Sequence, residues 1–355
     1  MINTLTGFRI VAEGHLRVAP LAALPRVMAA HGAAIADVLH AADLPPGLLD
    51  DADQTAPVGD LARLLAVAAR TIRCDHVGLL VGGDITLDTV GPVGGVVRGA
   101  PDVGSALRGL IMALHLHDRA TVPALQRSEG RATLSTIPLG AIEDGVAHVA
   151  DLTMVACFNI MRGLCGGGWR AVEVSLARRA PGDIRPYARL FGVAPRFDAE
   201  RNALVFPASW LKRPVCPAGS PPAGPAIDEV TSLYPLDPPA RVRRACVRAL
   251  FEGNATVTRI ARLNGWSRRT LNRHLAPFGT TAQAELLQVK LGVAKQLLGG
   301  TDLALTEIGH LLGYADGSAF ARAFRKVEGQ APSRWRVRAM IPQCRTNFPS
   351  SRTSG

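Results

Sequence analysis

Between Pro214 and Pro239 the chain places eight prolines in 26 residues, at 214, 217, 221, 222, 225, 235, 238 and 239. Each proline removes a backbone N–H and fixes φ, so no continuous helix or central strand runs through this segment. The chain must therefore divide here. The sequence predicts a unit over residues 1–214, a proline-rich linker over 215–239, a second unit over 240–338 and a disordered tail over 339–355. Inside the linker, the AIDEVTSLY stretch has room for one or two helical turns.

The charge divides at the same place. Of 355 residues, 40 are Lys or Arg and 29 are Asp or Glu, a net charge of +11. Residues 241–355 hold 19 of the bases and 6 of the acids, a balance of +13, which leaves residues 1–240 at −2. A basic final third behind a near-neutral body points to a polyanion, above all a nucleic acid, as the partner of that third. Hydrophobic residues at 48% exclude a disordered or collagen-like chain. No apolar run approaches the ~18–20 residues of a membrane span. Two prolines break the VAPLAALP stretch between Arg17 and Arg26, so it lacks a signal-peptide layout. The expectation is a cytoplasmic protein with no membrane partner, associated with the nucleoid through DNA. The six cysteines form no C-x-x-C pair and read as reduced thiols. His115 and His117 have no ligand cluster near them in sequence, so neither a metal nor a cofactor is expected.

Before the linker the periodicity is mixed. Val27, Ala30, Ala34, Val38 and Leu39 give a helical stripe, and Leu61, Leu64, Leu65, Ala68 and Ile72 give another. LRGLIMALHLH reads as a helix introduced by Asp102, and VADLTMVACFNIMRGLC as one ended by the glycines at 166–168. TVPALQRSEGRATLSTI reads as a hairpin about Ser128–Glu129–Gly130. Val172, Val174 and Leu176 alternate like a half-buried strand. This predicts an α+β unit with a small antiparallel sheet. Gly163–Gly167 fits a G-x-C-x-G nucleophile elbow, but the segment before it is helical where that chemistry needs a strand, so a helix-terminating loop is expected. Gly91, Gly94, Gly95 and Gly99 lack the Lys-Ser/Thr of a phosphate cradle and read as helix packing. Cys157 and Cys165 lie in apolar segments that suppress thiol reactivity. No catalytic residue is assigned.

After the linker the strand signal disappears and one short plan occurs twice. A helix over 240–250 precedes Val257–Leu263, a turn at Gly265, an N-cap at Ser267 and a helix whose Leu271 and Leu275 face inward. Its outward face carries Arg268, Arg269, Asn272 and Arg273. Arginine clasps guanine O6 and N7, and asparagine clasps adenine N6 and N7. In the second copy Ile308, Leu311 and Leu312 point inward, Gly313 turns, Asp316 caps, and Phe320 and Phe324 form the inner stripe. Outward lie Gly317, Ser318, Ala321, Arg322 and Arg325, a face poorer in base-reading groups and better suited to phosphate. The intervening helix, 282–298 and stopped by Gly299–Gly300, spans about 25 Å at ~1.5 Å per residue. With helix radii added, the outward helices stand roughly one DNA turn, ~34 Å, apart. The fold class is thus an α+β domain followed by an all-α domain with two helix-turn-helix units joined by a long helix.

These residues resemble the AraC/XylS family of bacterial transcription regulators. TEIGHLLGYADGSAFARAFRKVEGQAPSRWR (306–336) is similar to its closing signature, and SRRTLNRHLAPFGTT (267–281) to its first reading helix. The resemblance implies base-reading roles for Arg269, Asn272, Arg273, Gly317, Ser318 and Arg322, and Arg268 joins them from its place on the outward face. Ser267, Arg325 and Lys326 are assigned to phosphate, while Pro332 and Trp335 are structural. Gly309–His310 departs from the family's small-then-apolar pair in a way expected to loosen its helix, and Lys290 replaces an arginine. WRAVEVSLARRAPGDIRPYARLFGVAPRFDAERNALVFPASWLKRP (169–214), with LPPGLLDD (44–51), resembles the arabinose-binding-like sensor domain of a subgroup with ornithine- and arginine-linked regulators. The expected function is sequence-specific transcription regulation under a small-molecule effector whose binding residues the sequence does not name. Expected partners are double-stranded promoter DNA, RNA polymerase, the effector and a second copy of the chain. An N-terminal enzyme or a protein–protein dimerisation module, fused to the same DNA-binding unit, is the alternative.

Overall fold

A computed structural model describes residues 11–139, 142, 144–216 and 235–340. The AIDEVTSLY stretch, most of the linker and the tail beyond 340 lie outside the described residues.

The N-terminal part holds two cores joined by one long helix. The first core is helical: β1 (His15–Arg17), α1 (Leu24–Ala30), α2 (Ile35–Ala41), β2 (Thr55–Pro57), α3 (Val58–Ile72) and α4 (Val77–Gly82). β1 and β2 pair antiparallel and close this lobe. The stripe expected from Val27 to Leu39 is two helices rather than one. His31 ends the first, and Gly32 follows at φ +74°, a left-handed turn that reverses the chain.

The second core packs α5 (Pro92–Arg98), α6 (Val103–Ala113), α7 (Val146–Cys165) and α8 (Arg185–Phe191) against a four-stranded antiparallel sheet. Its strands are β3 (Thr121–Ser128), β4 (Arg131–Pro138), β5 (Glu173–Ser175) and β6 (Asn202–Pro207), in the order β3-β4-β6-β5. The predicted hairpin is β3–β4, with Ser128 opposite Arg131 and both Glu129 and Gly130 at positive φ, as a two-residue hairpin turn requires. The expected alternation in β5 holds only in part: Val174 and Leu176 are fully buried, whereas Val172 is 49% exposed at the sheet edge.

Helix α7 runs through both cores. Val149 and Leu152 enter the first, and Met154, Val155, Phe158, Met161 and Leu164 enter the second. Helix α4 crosses it so closely that a Cβ on Gly78 would strike the His148 carbonyl. Gly166, at φ +75°, ends α7 directly after Cys165. The G-x-C-x-G run is therefore a helix terminus, and burial pushes the Cys157 and Cys165 thiols up to about 12. Gly94 likewise serves close packing, since a Cβ there would meet the Leu87 carbonyl. His115 and His117 are core histidines, 7% and 3% exposed.

The C-terminal part is all helix: α9 (Pro238–Phe251), α10 (Val257–Leu263), α11 (Arg268–Leu275), α12 (Ala282–Gly300), α13 (Leu305–Leu311), α14 (Gly317–Glu328) and α15 (Pro332–Met340). Helix α9 begins two residues inside the stretch read as linker. Pro238 and Pro239 occupy its first turn, where a missing N–H costs nothing, and the Asp237 carboxylate caps it by accepting the Ala240 N–H at 2.7 Å. Gly299 and Gly300 belong to the last turn of α12 instead of stopping it, and the helix ends at Thr301. The core of this part also takes in Val122 of β3 and Ile137 of β4, so the hairpin packs against both halves.

Candidate nucleic-acid interface

The first helix-turn-helix unit is built as its sequence predicts. Ile260, Ala261, Leu271 and Leu275 are buried at its centre. Gly265 sits at φ +71°, a conformation side chains resist, and turns α10 into α11. Ser267 caps α11, its hydroxyl accepting the Thr270 N–H at 3.1 Å. Trp266 in the turn lies between His274, stacked at 4.5 Å, and the Arg241 guanidinium, 4.6 Å from the indole centre. That stack locks α11 to α9.

With Leu271 and Leu275 inward, Arg269 and Arg273 fall four residues apart on the opposite, exposed face. Arg268 is exposed on the flank. Asn272 is exposed as well, but its side-chain oxygen accepts the Ala282 N–H at 3.2 Å and ties α11 to the start of α12. Half of the carboxamide expected to read adenine is therefore engaged inside the protein.

The second unit repeats the arrangement. Gly313 turns at φ +75°, and the Asp316 carboxylate caps α14 through the Ala319 N–H at 2.7 Å. Phe320 and Phe324 are buried, and Ser318, Arg322, Arg325 and Lys326 are exposed on the far side. Leu311 is only partly buried, while Ile308 and Leu312 are fully so.

Gly317 is different. A Cβ there would lie 3.0 Å from Thr306 Cγ2 and 3.3 Å from its Cα, so this position faces α13 and not the outward surface. Its side of α14 is a packing contact, so any part it takes in base reading passes through its backbone. Gly309 works in the same way: a Cβ would be 3.2 Å from that of Phe320, so the smaller residue draws α13 and α14 together where loosening was expected. Lys290 lies 4.9 Å from the Tyr314 ring and braces the second turn against α12.

The charges on the two outward faces are free. Among the described residues Arg268, Arg269, Arg273, Arg322, Arg325 and Lys326 make no ion pair, whereas Arg243, Arg248, Arg259 and Lys295 elsewhere in these helices do. Arg262 on α10 is also exposed and unpaired, and sequence reasoning missed it. The only signal for it was its place in the leading helix, which in such units crosses the DNA backbone. Helix α12, at 19 residues, separates the units by about 28 Å at ~1.5 Å per residue.

Several contacts among the described residues fasten the helical part to the rest. Glu13 bridges Arg119 at 2.9 Å and Arg243 at 2.7 Å, and Arg119 also reaches Asp237 at 3.0 Å. Gln296 of α12 donates to the Pro138 carbonyl at 2.7 Å. Arg179 grips the end of α12 through the Gly299 and Thr301 carbonyls, each at 2.7 Å, and Asp302 at 2.5 Å. None of these long-range contacts was visible in the sequence.

Comparison with known proteins agrees with this anatomy. A sequence profile for the arabinose-binding N-terminal domain of the AraC transcription regulator matches residues 32–215, and one for a helix-turn-helix domain matches residues 260–338. The ornithine utilization regulator of Pseudomonas aeruginosa is 31% identical over 329 residues, covering 90% of this chain and 95% of that protein. The HTH-type transcriptional regulator VirS of Mycobacterium tuberculosis is 25% identical over 303 residues, covering 83% and 88%. Among solved structures, the transcriptional regulator CdpR from Pseudomonas aeruginosa aligns over 85% of this chain and 96% of its own, at 22% identity and a TM-score of 0.40. Among the described residues no single helix is long and apolar enough to cross a membrane. With its arabinose-binding-type N-terminal domain and its tandem DNA-reading units, the chain belongs to the AraC family of helix-turn-helix transcription regulators.

Proposed function

We propose that this regulator reads promoter DNA with α11 and α14 in successive major grooves, and that its N-terminal part adjusts this reading in response to a small-molecule effector. The observation that carries the first half is the pair of exposed faces, each opposite a buried i,i+4 stripe and each holding arginines without carboxylate partners. Arg269 and Arg273 are the principal base readers, with Arg268 and the remaining Asn272 donors beside them. Ser318 and Arg322 read from α14. Ser267, Arg325, Lys326 and Arg262 grip phosphate, which positions a protein without specifying sequence. Gly317 contributes no side chain and acts by letting α14 seat on α13.

The effector half rests on the family of the N-terminal domain and on the name of the ornithine utilization regulator. A transcriptional activator, NphR of Rhodococcus, is 33% identical over 104 residues, 29% of this chain, which favours activation; contact with RNA polymerase, a homodimer and a cytoplasmic setting are part of the same proposal. The matched relatives are regulators, and this favours a sensor over an N-terminal enzyme. Affinity for the DNA upstream of its own gene and for random DNA, measured across salt, tests the reading. Arg269→Ala should cost about 1–3 kcal/mol on the specific site alone. Equal losses on both DNAs would remove Arg269 from base recognition.

A further inference from the structure

A cavity of about 330 Å³ opens where the N-terminal part meets the end of α12. That is within the range of small-molecule sites. Its walls come from both halves of the chain: Asp75, the first turn of α7 and the 178–182 loop on one side, Gly299 and Gly300 of α12 and Ala339 of α15 on the other. The halves are in close contact at its base, since a Cβ on Gly300 would lie 3.0 Å from Val146 Cγ1 and 3.2 Å from the Ala177 carbonyl.

The wall is electrically two-ended. Arg178 is 5% exposed, and one of its terminal nitrogens is committed to Asp151, Tyr187 and the Asp75 carbonyl. The other terminal nitrogen has no hydrogen bond among the described residues. The first turn of α7, a 20-residue helix, adds a positive dipole end on the same side. On the same wall the Asp75 carboxylate, whose Oδ2 lies 4.0 Å from where a Cβ on Gly182 would be, is exposed and makes no ion pair among the described residues, and Asp144 lines the cavity too, paired with Arg70 at 3.0 Å. His148 adds no charge to this wall, because burial, with Arg178 second, pushes its imidazole down to about 4. A buried guanidinium with a spare donor and an unpaired carboxylate on one wall of a cavity match a molecule carrying both signs on neighbouring atoms, as an amino acid does.

We propose that this cavity binds the effector, and that the effector is a small dipolar molecule with a carboxylate turned to Arg178 and α7 and an amine turned to Asp75. The proposal rests on the effector reading above and gives it a place and a chemistry. It also supplies the coupling. Arg178 lines the cavity while its neighbour Arg179 holds the last turn of α12, the helix that joins both DNA-reading units. A ligand that draws on the 178–182 loop thus acts on the spacing of those units.

The test is calorimetric titration of the full chain with each of the standard amino acids and L-ornithine, beside putrescine, glutarate and D-glucose. At least one amino acid should bind, and should change affinity for the upstream DNA by about fivefold or more. Asp75→Asn should weaken that binding about tenfold or more, by loss of a charge-assisted bond. Gly182→Phe is a second, chemically different variant. Gly182 has ordinary backbone, and a Cβ on it would have Asp75 Oδ2 as its nearest neighbour at 4.0 Å, so the ring fills the cavity without a clash at its base. If an amino acid binds both variants as well as the unchanged chain, this site falls and the effector reading stands. Binding of putrescine, glutarate or glucose alone overturns the dipolar chemistry and leaves the effector reading standing. No binding by any of these probes overturns the proposal, and if operator affinity is also indifferent to extracted cell metabolites the effector reading falls with it.

Discussion

Arg178 lies almost out of reach of water between Asp151 and Tyr187, while Arg269 stands on the outward face of α11 with no carboxylate beside it. The two residues are chemically identical and do opposite work. In the N-terminal part and along its seam with the helices, Arg17, Arg119, Arg178, Arg179 and Arg243 are each committed to acids or carbonyls of the protein itself. On the two reading helices the guanidinium groups have no such partner among the described residues, so a phosphate or a base edge meets no internal competitor there. Net charge alone does not separate these cases. Arg243 and Arg259 count toward the +13 of the last third, yet their charge is spent on Glu13, Glu285 and Glu252. The DNA-facing charge is the unpaired fraction.

The comparison breaks most visibly at Arg178. Arg178→Ala leaves Asp151 buried without its cation, a loss of about 3–5 kcal/mol, and chemical denaturation of the full chain should show it. Arg269→Ala should move the same curve by no more than about 0.5 kcal/mol, since an exposed side chain leaves nothing unsatisfied behind. A comparable loss from both would erase the distinction.

The buried half should also answer to acid. His117 is 3% exposed, and burial, with Arg17 second, pushes its imidazole down to about 3. The folded value lies below the ordinary 6.5, so the unfolded chain binds the proton first as pH falls. Its contribution is whole above about 6.5 and declines toward 3, by on the order of 2 kcal/mol at pH 5. A His117→Leu variant should flatten that limb of the stability–pH curve, and an unchanged slope would show that His117 is not held neutral.

The smallest effect is expected at Arg325. Arg325→Ala should weaken binding to all DNA alike and lower the salt slope by about one. A selective loss at one sequence would move Arg325 into the base-reading set.

What could be read from the sequence follows the range of the signals. The helix-turn-helix units rest on neighbours within a few residues: Ser267 and Asp316 as caps, Gly265 and Gly313 as turns, and Leu271–Leu275 and Phe320–Phe324 as inner stripes. All appear in the structure as expected. Other positions answer to something distant that local patterns do not carry. Asn272 looked free until Ala282 came back to it, and Gly317 looked outward until Thr306 lay against it. Gly299 and Gly300 read as a helix stop, yet both belong to the last turn of α12, where Gly300 packs on Val146 and Gly299 faces Ala339. The arginine seam and the cavity beside it join residues more than a hundred positions apart, such as Arg179 and Asp302, which periodicity cannot register.

We propose that the two reading helices, held apart by α12, enter two successive major grooves. Hydroxyl-radical footprinting of the full chain on its upstream DNA tests it directly, comparing the unchanged protein with Arg269→Ala and Arg322→Ala. Two protected patches are expected on one face of the duplex, centred about 10 base pairs apart, with Arg269→Ala fading one and Arg322→Ala the other. A single patch, or the same patch lost in both variants, would contradict it.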